Sequence, residues 1–301
     1  MSVVFPRFRR RPVLSPSVLE LEGPFRHQMV HTRGVRLHAA VAGDPGDPLV
    51  VLLHGTFGGW FEFRRVIAPL AARGFRVAAV DARGYGLSDK PPATSGDGLR
   101  TAAGDVAGLI RALGHDRAVV VGAETGGTVA WALAAYYPAL VAGLVSVSAA
   151  HPVDLRRAVA ARPWLHASTV AHPLLPLLGA PAYRRHLAAS TTPDFRRTPV
   201  FQEELELRLR AAQIGRTRPA VLRHSRLRTA SSRWVDERVT APTLLIQPLQ
   251  SVWRHLARRC LTRVDAPLSV RHVPGSRNLP HLENPQGFIE VVEHFAGTLS
   301  L

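Results

Sequence analysis

The chain has 301 residues and a formal net charge of +16, with 38 Lys+Arg against 22 Asp+Glu. Its one cysteine, Cys260, excludes a disulfide framework and any multi-thiolate metal site, and no run of about 18 apolar residues is present to span a bilayer. No cofactor and no metal site are expected, and a reducing cytoplasm fits the thiol content.

Lys90 is the only lysine, so the excess charge is almost entirely arginine. The arginines are scattered in small clusters, at 7–11, 156–157, 184–185, 196–197 and 258–259. Two readings stand: an anionic partner, or the Arg-rich codon usage of a GC-rich genome. No aromatic stacking platform or zinc-finger spacing accompanies the charge, so nucleic acid is not expected. The first residues, MSVVFPRFRRRP, carry Arg and Pro where a signal peptide needs an apolar stretch. A basic N-terminal arm over 1–26 is expected, and it is the candidate for peripheral membrane contact.

In chain order, HQMVHTRGVRLHAAVAG (27–43) predicts two strands around a turn at Gly34, an antiparallel edge. Four apolar runs then read as buried parallel strands: 48–53, 75–82, 117–123 and 140–149. Helical patterns over 60–74, 101–114 and 128–138 separate them, with Gly74 and Gly114 as helix ends and Pro138 stopping the third. Residues 151–239 contain no convincing strand but do contain helical stretches at 200–213 and 218–228. Strand patterns resume at 241–248 and 268–274, and an amphipathic helix covers 285–299. The expectation is an α/β fold: a mostly parallel doubly wound sheet over 27–150 and 241–301, with a helical lid over 151–240 inserted after the sixth strand.

Residues 118–127, AVVVGAETGG, are the strand–turn–helix context of a nucleophile elbow, with Glu124 at the tip. HGTFGGW (54–60), DARGYGLSDKPP (81–92), SAAHP (148–152) and GSRNLPHLENP (275–285) complete an ordered set. Together these motifs closely resemble the α/β-hydrolase family, in particular its epoxide-hydrolase and haloalkane-dehalogenase-like branch, over about residues 25–299.

Carried over position by position, the resemblance puts the nucleophile at Glu124, the acid at Ser251 and the general base at Asn278. All three triad positions then look substituted. The oxyanion loop falls on Gly55, Thr56 and Phe57, opposite the amide of Thr125, with Phe57 in place of the family's proline. The same branch polarises epoxides with paired lid tyrosines, whereas Tyr183 is the one tyrosine in the expected lid.

A glutamate that attacked carbon would form an ester needing a base-activated water for its release, and Asn278 has no titratable group. The simplest role for Glu124 is to hydrogen-bond the oxyanion amides and fill the former catalytic hole. Pocket candidates are His54, Trp60, His151, Trp164, Tyr183 and His281, with Trp234 as a further lid residue. His281 and His151 are the candidate relocated bases. Asp154 lies near an alternative acid position, and Asp81 and Arg83 read as turn-fixing.

Three functions follow from these residues. The first is a pseudoenzyme that binds a small hydrophobic ligand or a protein partner. The second is a lyase, isomerase or cyclase using Glu124 as acid or base. The third is an atypical hydrolase with a relocated histidine.

Overall fold

The structure is a computed structural model that describes residues 13–92, 97–230 and 237–301. The basic residues 7–11 and Trp234 lie outside that set.

The continuous apolar runs become strands because both of their faces are covered. Eight strands form one sheet in the order β1-β2-β4-β3-β5-β6-β7-β8. They are β1 (Arg26–Thr32), β2 (Val35–Ala42), β3 (Leu49–Leu53), β4 (Arg76–Val80), β5 (Ala118–Ala123), β6 (Val141–Val147), β7 (Thr243–Ile246) and β8 (Leu268–Arg271). β1 and β2 pair antiparallel through a turn in which Arg33 (φ 41°) and Gly34 (φ 76°) both take positive φ, the geometry that suits a tight hairpin. β2 pairs antiparallel with β4, and the remaining pairs are parallel.

The pleat sorts β5 residue by residue. Val119 and Val121 pack with α1 (Arg64–Ala71) and α11 (Pro285–Ala296) on one face. Ala118 and Val120 pack with α2 (Gly98–Ala112) and α3 (Thr125–Tyr136) on the other. Short α10 (Pro280–Glu283) precedes α11. Between β7 and β8 runs α9 (Ser251–Cys260), a helix the sequence pattern did not single out; it buries Leu256, Ala257 and Cys260 and leaves Arg254 and Arg258 exposed.

Between β6 and β7 the described residues form helices: α4 (Pro152–Ala161), α5 (Ala167–Ala171), α6 (Ala180–Ser190), α7 (Pro199–Gln213) and α8 (Thr217–Leu227). A buried ion network ties this insertion to the sheet layer. The Arg208 guanidinium of α7 reaches Glu62 at 3.1 Å and Glu204 at 2.9 Å, and Arg64 reaches Glu204 at 2.8 Å.

Within the expected arm over 1–26, the described residues pack against the rest of the chain. Leu14 pairs with Ile214, Leu19 is fully buried, and the Leu19 carbonyl accepts the Trp60 indole N–H at 3.1 Å. Behind it, His27 contacts His38 at 2.8 Å and His38 contacts Asp81 at 3.0 Å. Asp81 also accepts the backbone N–H groups of Trp60 and Leu87, which fixes the turns after β3 and β4 as expected of it.

Candidate functional site

The site begins at the turn between β5 and α3. Glu124 has φ 50° and ψ −112°, a strained backbone for a residue with a Cβ. Close backbone packing enforces it. A Cβ on Gly122 would lie 2.3 Å from the Gly126 carbonyl oxygen, and one on Gly126 would lie 2.3 Å from the Leu53 carbonyl oxygen. The turn therefore folds tightly at the C-terminal edge of the sheet and holds Glu124 at its tip.

Beside it stands the loop after β3. His54 Nε2 accepts the Ala82 N–H at 3.1 Å, which makes Nδ1 the protonated nitrogen; it donates to the Gly55 carbonyl at 2.7 Å. Tyr85 donates its hydroxyl to the Thr56 carbonyl at 3.0 Å, and the Thr56 and Thr125 hydroxyls meet at 2.7 Å. Gly55, Thr56 and Thr125 are thus brought together as expected. Phe57 instead turns into the insertion, against His186 (4.6 Å between ring centroids), Tyr183 (5.0 Å) and His172 (5.7 Å).

A family profile described as alpha/beta hydrolase fold matches residues 48–233. The chain belongs to the α/β-hydrolase fold family. It is 39% identical over 151 residues to the AB hydrolase superfamily protein YfhM of Bacillus subtilis, covering 50% of this chain and 53% of that one. It is 42% identical over 125 residues to epoxide hydrolase B of Mycobacterium tuberculosis, covering 40% and 35% respectively. The chain thus spans about half the length of the first relative and about a third of the second. Epoxide hydrolase A of Mycobacterium thermoresistibile superposes with a TM-score of 0.74 at 24% identity, over 92% of this chain and 99% of that one, a likeness of fold.

In this α/β-hydrolase the elbow carboxylate does not cap the loop amides, contrary to the simplest expectation. The Gly55 N–H donates to Glu62 at 3.3 Å instead. Glu124 Oε1 lies 3.3 Å from His186 Nε2 and accepts the Ser190 hydroxyl at 3.3 Å, while Oε2 lies 2.6 Å from where a Gly55 Cβ would stand. Both partners come from α6, one turn apart on one face. Burial by itself would raise the Glu124 pKa, but the adjoining His186, with Arg228 and His172, holds the carboxyl well below its usual range.

Sequence reasoning did not find His186, His172, Ser190 or Arg228. They lie in a segment whose sequence has no spacing motif. The available signal was the i,i+4 pairing of two polar residues on the face of α6 that also carries Tyr183 and Leu187.

The other expected site residues divide. Asn278 lies beside the elbow group, its N–H donating to the Ser190 carbonyl at 3.0 Å. Ser251 opens α9 and is exposed to solvent. His281 does not reach Glu124: it sits 3.6 Å from Glu62 and packs on Phe63. His151 is buried edge-on to Trp131 at 5.3 Å, near Asp154, which pairs with Arg263 at 3.1 Å. Trp60 is core, packed on Phe25, His27 and His38, and Trp164 is 71% exposed, so neither lines a pocket as expected. Tyr183 is buried against Phe57, and burial pushes its phenol up to about 12.

On the α2 and α8 side of the elbow lies a cavity of about 130 Å³. Leu37, Leu53, Val80, Val106, Val129 and Leu227 give it an apolar wall, and His54, Arg83, Arg223 and His224 add polar groups. Arg83 is held by Asp105 at 2.7 Å. A cavity of this size is of the order that holds one benzene-sized molecule, ~150 Å³. Among the described residues no cluster of His, Cys, Asp and Glu has metal-site geometry, and no helix is long and apolar enough to cross a membrane.

Proposed function

We propose that this α/β-hydrolase is a non-hydrolytic member of the epoxide-hydrolase-like group that binds a small apolar ligand in the cavity beside the elbow. The observation that carries the reading is the Glu124–His186 pair. The oxygen that would attack carbon is held by an imidazole and a hydroxyl, both from the insertion. Attack on an epoxide would join a Glu124 oxygen to carbon and open the ring to an alkoxide. Release would then need a base to take a proton from water as it adds to the ester carbonyl. Asn278, at the family's base position, is an amide and accepts no proton near neutral pH. Ser251, at the acid position, is exposed and has no imidazole to orient. Phe57, Tyr183 and His186 pack over the tip where a substrate would have to enter.

A second reading is favoured by the same contact. An imidazole beside a buried carboxylate is a proton-transfer pair, and once Glu124 became an ester its negative charge, and with it the pairing, would be gone, freeing His186 to activate water. The histidine beside the elbow comes from the insertion, and it is neither His281 nor His151, the two offered from sequence as relocated bases.

One set of assays separates the two. The wild-type protein, Glu124→Gln and His186→Gln are incubated with p-nitrophenyl esters and with styrene oxide. On the first reading the three give equal, background rates. Turnover by the wild type that is lost in both variants, with a mass increase on Glu124 trapped in His186→Gln, establishes the second and overturns the first.

A further inference from the structure

Residues 163–183, between α4 and the middle of α6, carry their polarity inverted. His166, Thr169, His172 and Tyr183 are buried. The exposed residues described there are all apolar or glycine, and they include Trp164 (71% exposed), Leu165, Val170, Leu174 (64%), Leu177 and Leu178 (60%). So many large exposed apolar side chains within one short stretch of a folded domain mark a partner rather than a face meant for water.

The charge around it states what kind of partner. From residue 155 to residue 193 there is no Asp or Glu, while Arg156, Arg157, Arg162, Arg184 and Arg185 fall in the same stretch. Arg157, Arg162, Arg184 and Arg185 are exposed, and α4 packs on α9, which presents Arg254 and Arg258 to solvent. Of the acidic residues that bound the stretch, Asp154 is buried against Arg263, and Asp194 is exposed beside Arg197 at 3.3 Å.

We propose that this surface docks the protein onto an anionic lipid bilayer. The aliphatic side chains enter the acyl boundary, Trp164 lies at headgroup depth, and the flanking guanidiniums bind the lipid phosphates. The chemistry is that of interfacial binding, in which apolar burial and attraction to anionic lipid add together. A protein partner would have to supply both a broad apolar face and several carboxylates opposite the arginine rim; an anionic bilayer has both by construction. The proposal is independent of whether Glu124 turns over a substrate, and it places the attachment on the insertion rather than on the basic N-terminus.

The test uses the full chain and sedimentation with vesicles of phosphatidylcholine alone or of an equimolar phosphatidylcholine–phosphatidylglycerol mixture. Binding is expected to the anionic vesicles only, weakening as salt rises. Trp164→Ser/Leu177→Ser/Leu178→Ser and, separately, Arg184→Gln/Arg185→Gln should each weaken it by about tenfold or more, with unchanged circular dichroism. Acyl-brominated lipids should quench the wild-type fluorescence, and Trp164→Phe should remove that quenching, a readout that does not depend on the serine variant folding. Removal of residues 1–12 should leave most of the binding. No binding to anionic vesicles at low salt overturns the proposal. So does binding that survives the serine variant but is lost with residues 1–12, and so does a wild-type dimer that the serine variant converts to a monomer, which would make a second copy the occupant.

Discussion

The Glu124–His186 contact is a side-chain pair between two parts of the chain that folding must bring together. Removing the imidazole leaves the buried carboxylate with the Ser190 hydroxyl and the more distant Arg228, and breaking a buried pair in this way costs about 3 kcal/mol. His186→Leu should therefore lower the urea midpoint substantially, whereas Glu124→Gln removes the buried carboxylate itself and should cost less. The double variant should recover part of the His186→Leu loss, and the double-mutant cycle gives the coupling directly. A second test concerns space. A Cβ at position 55 would stand 2.6 Å from Glu124 Oε2, so Gly55→Ala should displace the carboxylate from His186. In Glu124→Gln/His186→Leu, where no carboxylate–imidazole contact remains to be displaced, the same alanine should cost less stability.

At the level of elements, the insertion is held to the sheet by more than the elbow pair. Arg208 of α7 lies between Glu62 and Glu204, and all three are almost fully buried. Burial by itself would raise the Glu62 pKa, but His281 and Arg208 draw it below the usual range. Arg208→Ala takes the one guanidinium from Glu62 and leaves Glu204 to Arg64 alone, and should destabilise the chain by about 3–5 kcal/mol. Hydrogen exchange should rise first in α7 and in the turn around Glu62, because those are the segments the guanidinium joins. If exchange rises uniformly instead, the insertion and the sheet unfold as one unit. The strands were legible element by element because a run such as Val119–Val120–Val121 must be covered on both faces. The helix α9 was not singled out, although Val252, Trp253, Leu256, Ala257 and Cys260 recur at helical spacing; that face packs against α4 and the end of the sheet.

For the whole molecule, the buried histidines and carboxylates make stability depend on pH with one sign. Burial lowers His151 to about 4, His172 to about 2 and His224 to about 3. In the unfolded chain each would titrate near 6.5, so below that pH the unfolded state binds more protons than the folded one. Their contribution is fully present above about pH 7 and falls as pH drops through 6.5, by about 1.4 kcal/mol per pH unit for each histidine. Glu62 and Glu124 have lowered folded values, so their share persists down to about pH 4.3 and is lost only below it. Urea unfolding between pH 7.5 and 5 should therefore show a steep decline that His224→Asn flattens by about one proton's worth. A flat profile over that range would mean that these imidazoles are not buried in the folded state.

The sequence by itself determined the sheet, the elbow and the loop beside it. Periodic apolar runs, glycines at tight turns and the spacing from His54 to Glu124 act over short stretches of chain, and local sterics and burial leave them one arrangement. Tertiary structure alone decided what meets the elbow carboxylate. His186 lies 62 positions from Glu124 and His172 lies 48, and nothing local in the sequence tells a histidine aimed at the site from one turned away. The same holds for Trp164, read from sequence as a pocket residue and found on the surface. Which face of an insertion packs down is set by the summed contacts of several helices, here by the Arg208 network and the imidazoles buried beneath the apolar rim.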